Sequence, residues 1–233
     1  MQDQHIASAF DRDLEAIQAQ IMKMGGLVEA AIMDAARSLE TRDEELAAEI
    51  RKGDKAIDAL EETINQDAAR LIALRAPTAV DLRLVLSILK ISGNLERIGD
   101  YAKNIAKRTG VLVTMNAVND SALALRRMAR EVELMLKDAL DSYIQRDADL
   151  AQDVINRDRD VDQMYSSLFR EFLTFMMEDH RNITPCMHLH FIAKNIERMG
   201  DHVTSIAEQV VYLVTGEAPE DDRPKADYTT QNV

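Results

Sequence analysis

The chain has no tryptophan and a single cysteine, Cys186, among its 233 residues. One thiol excludes an internal disulfide, which suits a reducing compartment, and it leaves no thiolate cluster to select a soft metal. Eight glycines and four prolines are too few to punctuate the turns of a sheet protein. Positive charge is also scarce. Against 41 Asp and Glu stand 28 Lys and Arg, a formal net charge of −13 with no visible basic patch, so no nucleic acid is expected as a partner. No segment runs to eighteen apolar residues, and Met1-Gln2-Asp3-Gln4-His5 lacks the basic start and apolar run of a secretory leader. A cytoplasmic protein without membrane insertion is therefore expected. Missing too are a Gly-rich phosphate loop, a dinucleotide fingerprint and a Ser/His/Asp set.

What the chain does have is a repeat. Asn94-Leu95-Glu96-Arg97-Ile98-Gly99-Asp100 recurs 101 residues later as Asn195-Ile196-Glu197-Arg198-Met199-Gly200-Asp201, with five of seven positions identical. Each copy sets a Glu and an Asp four residues apart, hence one turn apart on one helical face, at a repulsive cost of about a few tenths of a kcal/mol. Each also carries a mid-helix glycine, worth roughly 1 kcal/mol against alanine. Accepting both costs twice points to a use for them.

Abundant Ala, Leu, Met, Glu, Asp and Arg predict an all-α protein, and apolar spacings of three and four predict six helices. The first runs from about Asp11 to Leu39, with a kink possible at Gly25-Gly26. The second follows Thr41-Arg42-Asp43 and ends near Ala76, because the residue before Pro77 resists the helical region. The third runs from about Thr78 to Gly110. A fourth covers Asp120 to about Ile144, and Gln145-Arg146-Asp147 parallels the earlier joint. The fifth ends before a polar, turn-rich stretch from Asp179 to Pro185, and the sixth ends at Gly216. Two tandem, pseudo-symmetric three-helix bundles result, 1–112 and 113–216, followed by a disordered acidic tail, 217–233. The offset between halves is 104 residues for the first two helices and 101 for the third, so three residues are missing from a connection, where indels belong.

In register with the repeat lies a second acidic pair. Asp54 and Asp58 on the second helix correspond to Asp158 and Asp162 on the fifth. At about 100° per residue, Glu96 and Asp100 fall opposite the apolar arc of Ile91, Leu95, Ile98, Ala102 and Ile105, facing away from the core, while Asp54 and Asp58 flank their own stripe. Four carboxylates per half are thus expected in an outer groove that attracts a cation. All-oxygen donors suit Mg²⁺, Mn²⁺, Ca²⁺ or Fe and leave Zn²⁺ possible. A ferritin-like di-iron site does not fit, since it needs inward ligands and a Glu-x-x-His pair. The alternative is a solvated acidic face paired with Arg51, Arg97, Lys103 and Arg198, of little energetic weight. His202 could reach the groove from the side. His188 and His190 lie on different faces, Glu62 extends the first acidic row but answers to Ser166, and Phe172, Phe175, Met176 and Met177 read as core and interface.

Two three-helix units, each with an acidic pair on its second helix and ERxGD on its third, resemble the PhoU family of phosphate-transport regulators. Met24-Gly25-Gly26-Leu27-Val28-Glu29, Asp81-Leu82-Arg83 and the run Glu96 to Ala106 carry the resemblance; the second half departs with Asn182-Ile183-Thr184 and Ser166. The resemblance implies a cytoplasmic, dimeric negative regulator of the phosphate-starvation response and of phosphate uptake. Such a protein would act as an adaptor between the transporter ATPase, PstB-like, and the sensor histidine kinase, PhoR-like. It also implies metal ions (Fe, Zn, Mn or Mg) on Asp54, Asp58, Glu96 and Asp100, and on Asp158, Asp162, Glu197 and Asp201. The alternative from another class is a carboxylate-bridged, metal-dependent hydrolase in which a bound ion activates water.

Overall fold

The computed structural model describes residues 2–75, 77–118 and 120–217; for residues 2–8 it describes the helix they form but not their side chains. From residue 218 on, the expected acidic tail lies outside the described residues. Six helices account for nearly all of the rest: α1 (Gln2–Thr41), α2 (Glu44–Arg75), α3 (Ala79–Leu112), α4 (Ser121–Gln145), α5 (Ala148–Glu178) and α6 (Ile183–Thr215), with one 3₁₀ turn at His180–Asn182.

The apolar spacings read from the sequence are the buried stripes. Ile17, Ile21, Met24 and Val28 of α1 and Ile91, Leu95 and Ile98 of α3 are almost wholly enclosed. Helix α1 is 40 residues long, about 60 Å at 1.5 Å per residue, and is helical throughout, so Gly25-Gly26 does not break it. Gly25 has a packing reason instead, because a Cβ there would collide with Leu140 Cδ1 of α4, whereas one at Gly26 would meet open space. Helix α3 runs two residues past Gly110, since the one glycine with positive φ is Gly216. In the stretch expected as a turn, α6 already begins at Ile183, and Pro185 sits in its first turn, where a missing N–H breaks no helical bond.

Within each half every helix packs on the other two, and between the halves α1 lies on α4 and α3 on α6. Consequently the two repeats share one continuous apolar core. Helices α3 and α6 run antiparallel: Arg83, near the start of α3, lies over the Tyr212 ring near the end of α6, and Arg108 near the end of α3 meets His188 near the start of α6. At the middle of this contact Tyr101 and His202, the same position of the two repeats, stack with ring centroids 5.7 Å apart.

The parallel joints also fold alike. Among the described residues, Arg42 and Arg146 are the two non-glycine residues with positive φ, 57° and 56°. The amides of Asp43 and Asp147 donate back to the carbonyls of Ser38 and Ser142 at 2.9 and 3.0 Å, the six-residue wrap that ends a helix. Each aspartate then caps the next helix, accepting from Leu46 N and Leu150 N respectively. One difference separates the joints. The Arg42 guanidinium donates to the carbonyls of Leu112, Val113 and Met115, and the exposed Arg146 makes none of these bonds. Left-handed backbone disfavours an L side chain by about 1–2 kcal/mol, part of which is offset by the entropy glycine adds to the unfolded chain. Arg146→Gly is therefore expected to raise the thermal midpoint slightly and Arg42→Gly to lower it by several degrees, as measured by circular-dichroism melting of the two variants.

Candidate functional site

Two glycines decide where the acids end up. A Cβ on Gly99 would lie 3.0 Å from Ile57 Cδ1 and 3.3 Å from Ile57 Cγ2; one on Gly200 would lie 3.3 Å from Asp158 Oδ1 and 3.4 Å from Val161 Cγ1. Ile57 and Val161 are the same position of the repeat, so one contact is made twice. With hydrogen in place of a methyl, α2 closes on α3 and α5 closes on α6, and carboxylates from facing helices meet along each seam.

In the first seam an ammonium joins them. Lys103 Nζ is 2.5 Å from Asp54 Oδ2 on α2 and 2.5 Å from Asp100 Oδ1 on its own helix. Asp54 is only 6% exposed, and its second oxygen, Oδ1, is buried with no hydrogen-bond partner. Glu96 and Asp100 sit half-buried beside it, with the exposed Arg97 at 3.6 and 3.9 Å, and Asp58 stands at the exposed mouth. Desolvation and the nearby Asp100 push the Glu96 carboxyl above the usual glutamate value, against the pull of Arg97. Asp58 is raised by desolvation and by Asp54, with Lys103 acting the other way. Burial pulls the Lys103 ammonium down, but its bonds to Asp100 and Asp54 outweigh this and hold it above the ordinary lysine value.

The second seam is drier and differently charged. Asp158, Asp162 and Glu197 are all buried. Lys194 Nζ donates to Glu197 Oε1 at 2.7 Å from one turn back on the same helix, and lies over the Tyr165 ring. Glu197 Oε2 is buried without a partner. Burial raises the Glu197 carboxyl most, Lys194 lowers it, and Asp201 and Asp162 raise it further. Where the first repeat carries Lys103 the second carries Thr204, buried, with Oγ1 unpartnered.

The outward orientation expected from helical angles is thus corrected. Glu197 is enclosed, and Glu96 and Asp100 are half-covered, because a facing helix brought in by the glycine roofs over a position that a single-helix projection counts as solvent. The histidines lie elsewhere. His202 Nδ1 is 2.8 Å from Asn94 Oδ1 across the α3–α6 contact, His188 Nδ1 is 3.3 Å from Arg108 Nη1, and His190 packs among Tyr165, Phe169 and Phe191. For a cation the donors are suitable: oxygen throughout, with one orphaned buried carboxylate oxygen in each half. Among the described residues, however, no three His, Cys, Asp or Glu side chains converge as they stand on one ion position; carboxylates would have to turn inward, and in the first seam the ammonium would have to leave.

The raised Glu197 makes stability depend on pH. Its folded pKa lies above the unfolded value, so the folded state holds the proton more tightly, and stability falls as pH rises through that interval. Glu197→Gln should therefore be more stable than the parent chain at pH 8 in the presence of a chelator. The gain should vanish by about pH 4, below the usual glutamate value, as read from urea unfolding at the two pH values.

Comparison with known proteins accords with this architecture. The profile of the PhoU domain matches twice, over residues 21–109 and 125–210. A phosphate-specific transport system accessory protein PhoU homolog of Rhizobium meliloti is 44% identical over 230 residues, 99% of this chain and 97% of that protein. The corresponding homolog of Zymomonas mobilis is 48% identical over 222 residues, 95% of this chain and 93% of that one. The crystal structure of PhoU from Pseudomonas aeruginosa superposes with a TM-score of 0.86 at 38% identity, covering 89% of this chain and all of that one. That of the phosphate transport system regulatory protein PhoU from Streptococcus pneumoniae gives 0.82 at 31%, covering 91% and 99%. With two matched repeats and relatives aligned along almost its whole length, the chain belongs to the PhoU family of phosphate-transport regulatory and accessory proteins.

Proposed function

We propose that the chain restrains phosphate uptake and silences the phosphate-starvation response when phosphate is plentiful, working in the cytoplasm as an adaptor between the transporter ATPase and its sensor histidine kinase. The observation that carries this reading is the family match through both repeats to proteins named as accessory to the phosphate-specific transport system. The family is regulatory and not enzymatic, which sets the hydrolase alternative aside.

Two physical features support an adaptor. Helices held in one continuous core form long, stiff surfaces on which a partner helix can lie without reorganisation. Ile183, Met187 and Phe191, spaced four residues apart on one face of α6, are each more than 40% exposed, a row of apolar side chains that an interaction protein uses. The same reading pairs the chain with a second copy.

Asp54, Asp58, Glu96 and Asp100 would hold a cation in the first seam, and Asp158, Asp162, Glu197 and Asp201 in the second. A bound ion would supply the positive charge that cancels repulsion among the acids. The protein's own part is to enclose these carboxylates, to keep Glu197 and Asp54 out of water and to present the neutralised seam beside its helix faces.

Isothermal titration of the purified chain against the transporter ATPase and against the cytoplasmic part of the kinase tests the reading. Saturable binding to both, without turnover of phosphate esters, is expected. Failure to bind either, together with metal-dependent ester hydrolysis lost in Glu96→Gln, would replace the adaptor with an enzyme.

A further inference from the structure

We propose that the end of the α3–α6 contact where Arg108 meets Phe191 is a docking face for an acidic, amphipathic helix of a protein partner. This deepens, and rests on, the reading of the chain as an adaptor.

The chain holds 41 acids, yet residues 101–119 and 180–196 contain none. The antiparallel packing of α3 on α6 brings these two stretches together. Arg108 Nη1 lies 3.3 Å from His188 Nδ1, and its guanidinium stacks over the Phe191 ring, 4.3 Å from the centroid. Five Lys and Arg fall in the two stretches, and three of them are engaged. Lys103 holds Asp54 and Asp100, Arg181 holds Asp179, and Lys194 holds Glu197. Lys107 and Arg108 are different: among the described residues neither pairs with a carboxylate. Lys107 Nζ is 3.5 Å from the Asn104 amide oxygen, and the partly buried Arg108 meets only an imidazole and an aromatic ring. A guanidinium has five N–H donors in a fork that matches a carboxylate, so Arg108 is left with donors to offer outward. Its positive charge is felt locally, since burial and Arg108 together hold the His188 imidazole below the ordinary histidine value.

Beside these cations runs the apolar row of Ile183, Met187 and Phe191, with Val111 of α3, 41% exposed, three residues beyond Arg108. Apolar anchors four residues apart, flanked by cations that lack a counter-charge, fit a helix with one apolar side and acidic flanks. The repeat shows that the combination belongs to this end. At the other end of the same contact Lys107, Arg108 and Phe191 answer to Glu208, Gln209 and Lys90. A second copy meeting the face across a two-fold axis would set these cations against their own copies. An anionic bilayer would repel the rest of a chain of net charge −13. An acidic helix avoids both conflicts.

Fluorescence anisotropy on the full chain tests the face, using two labelled helical peptides of about 18 residues with leucine along one side and either glutamate or lysine along the other. The glutamate peptide should bind saturably and the lysine peptide should not. A chain carrying Lys107→Glu and Arg108→Glu should bind the glutamate peptide roughly 10- to 100-fold more weakly and should gain the lysine peptide, a reversal that a misfolded variant would not show. Met187→Gln should weaken the glutamate peptide, whereas Leu86→Gln, the same position at the other end, should not. No binding of the glutamate peptide, equal binding of the two peptides, or an affinity unmoved by the double charge reversal would overturn the face. So would phosphatidylglycerol vesicles that the parent retains and the double variant releases, which would assign it to a bilayer, or a dimer that the double variant dissociates, which would assign it to a second copy. A chain that binds the glutamate peptide here but neither the transporter ATPase nor the kinase would keep the face and overturn the adaptor.

Discussion

The close approach of helices at Gly99 and Gly200 is the constraint on which the rest depends. Removing one methyl group at each point lets Ile57 and Val161 seat directly on a helix backbone, and most of the acids beside them are then drawn wholly or partly off the surface. Those acids are at once the least favourable part of the fold and the part with most chemistry. Dispersion and apolar burial along the seams must outweigh the desolvation of Asp54, Asp158, Asp162 and Glu197, and each seam recruits a lysine to reduce that penalty. Glycine in the motif is thus a packing residue whose effect is electrostatic.

Much of this was legible in the sequence. Six helices, their apolar stripes, the paired joints and the acids in register all follow from periodicity and from a repeat compared with itself. Arg42 and Arg146 show how far such comparison reaches: two matching tripeptides fold with the same left-handed residue and the same aspartate cap. What the sequence did not yield was depth. A helical projection ranks residues around one axis and says nothing of a second helix arriving over the polar side, so the ERxGD acids were expected in an outer groove, whereas Glu197 is enclosed. Gly25 was open to reading as a weak point and is instead the place where α1 clears Leu140.

The two acidic seams also show what duplication leaves free to change. Aligning the halves would have exposed the exchange of Lys103 for Thr204 and of Gly93 for Lys194. Only the structure shows that one lysine spans two helices while the other stays on its own. The two clusters are alike in carboxylates and differ in where the lysine stands, so a chain that looks two-fold in sequence places its ammonium groups differently in its two halves.

Arg42 fixes one more asymmetry. Its guanidinium clasps the carbonyls at the end of α3, so the strand of chain leaving the first repeat is fastened to the α1–α2 corner before it sets out for α4. The end of α6 finishes differently, on Gly216, whose left-handed backbone and amide bond to Tyr212 O close the helix beside the Arg83 guanidinium of α3. The bridge between the repeats therefore has its direction imposed at the first corner, by a side chain that the second repeat does not use in the same way.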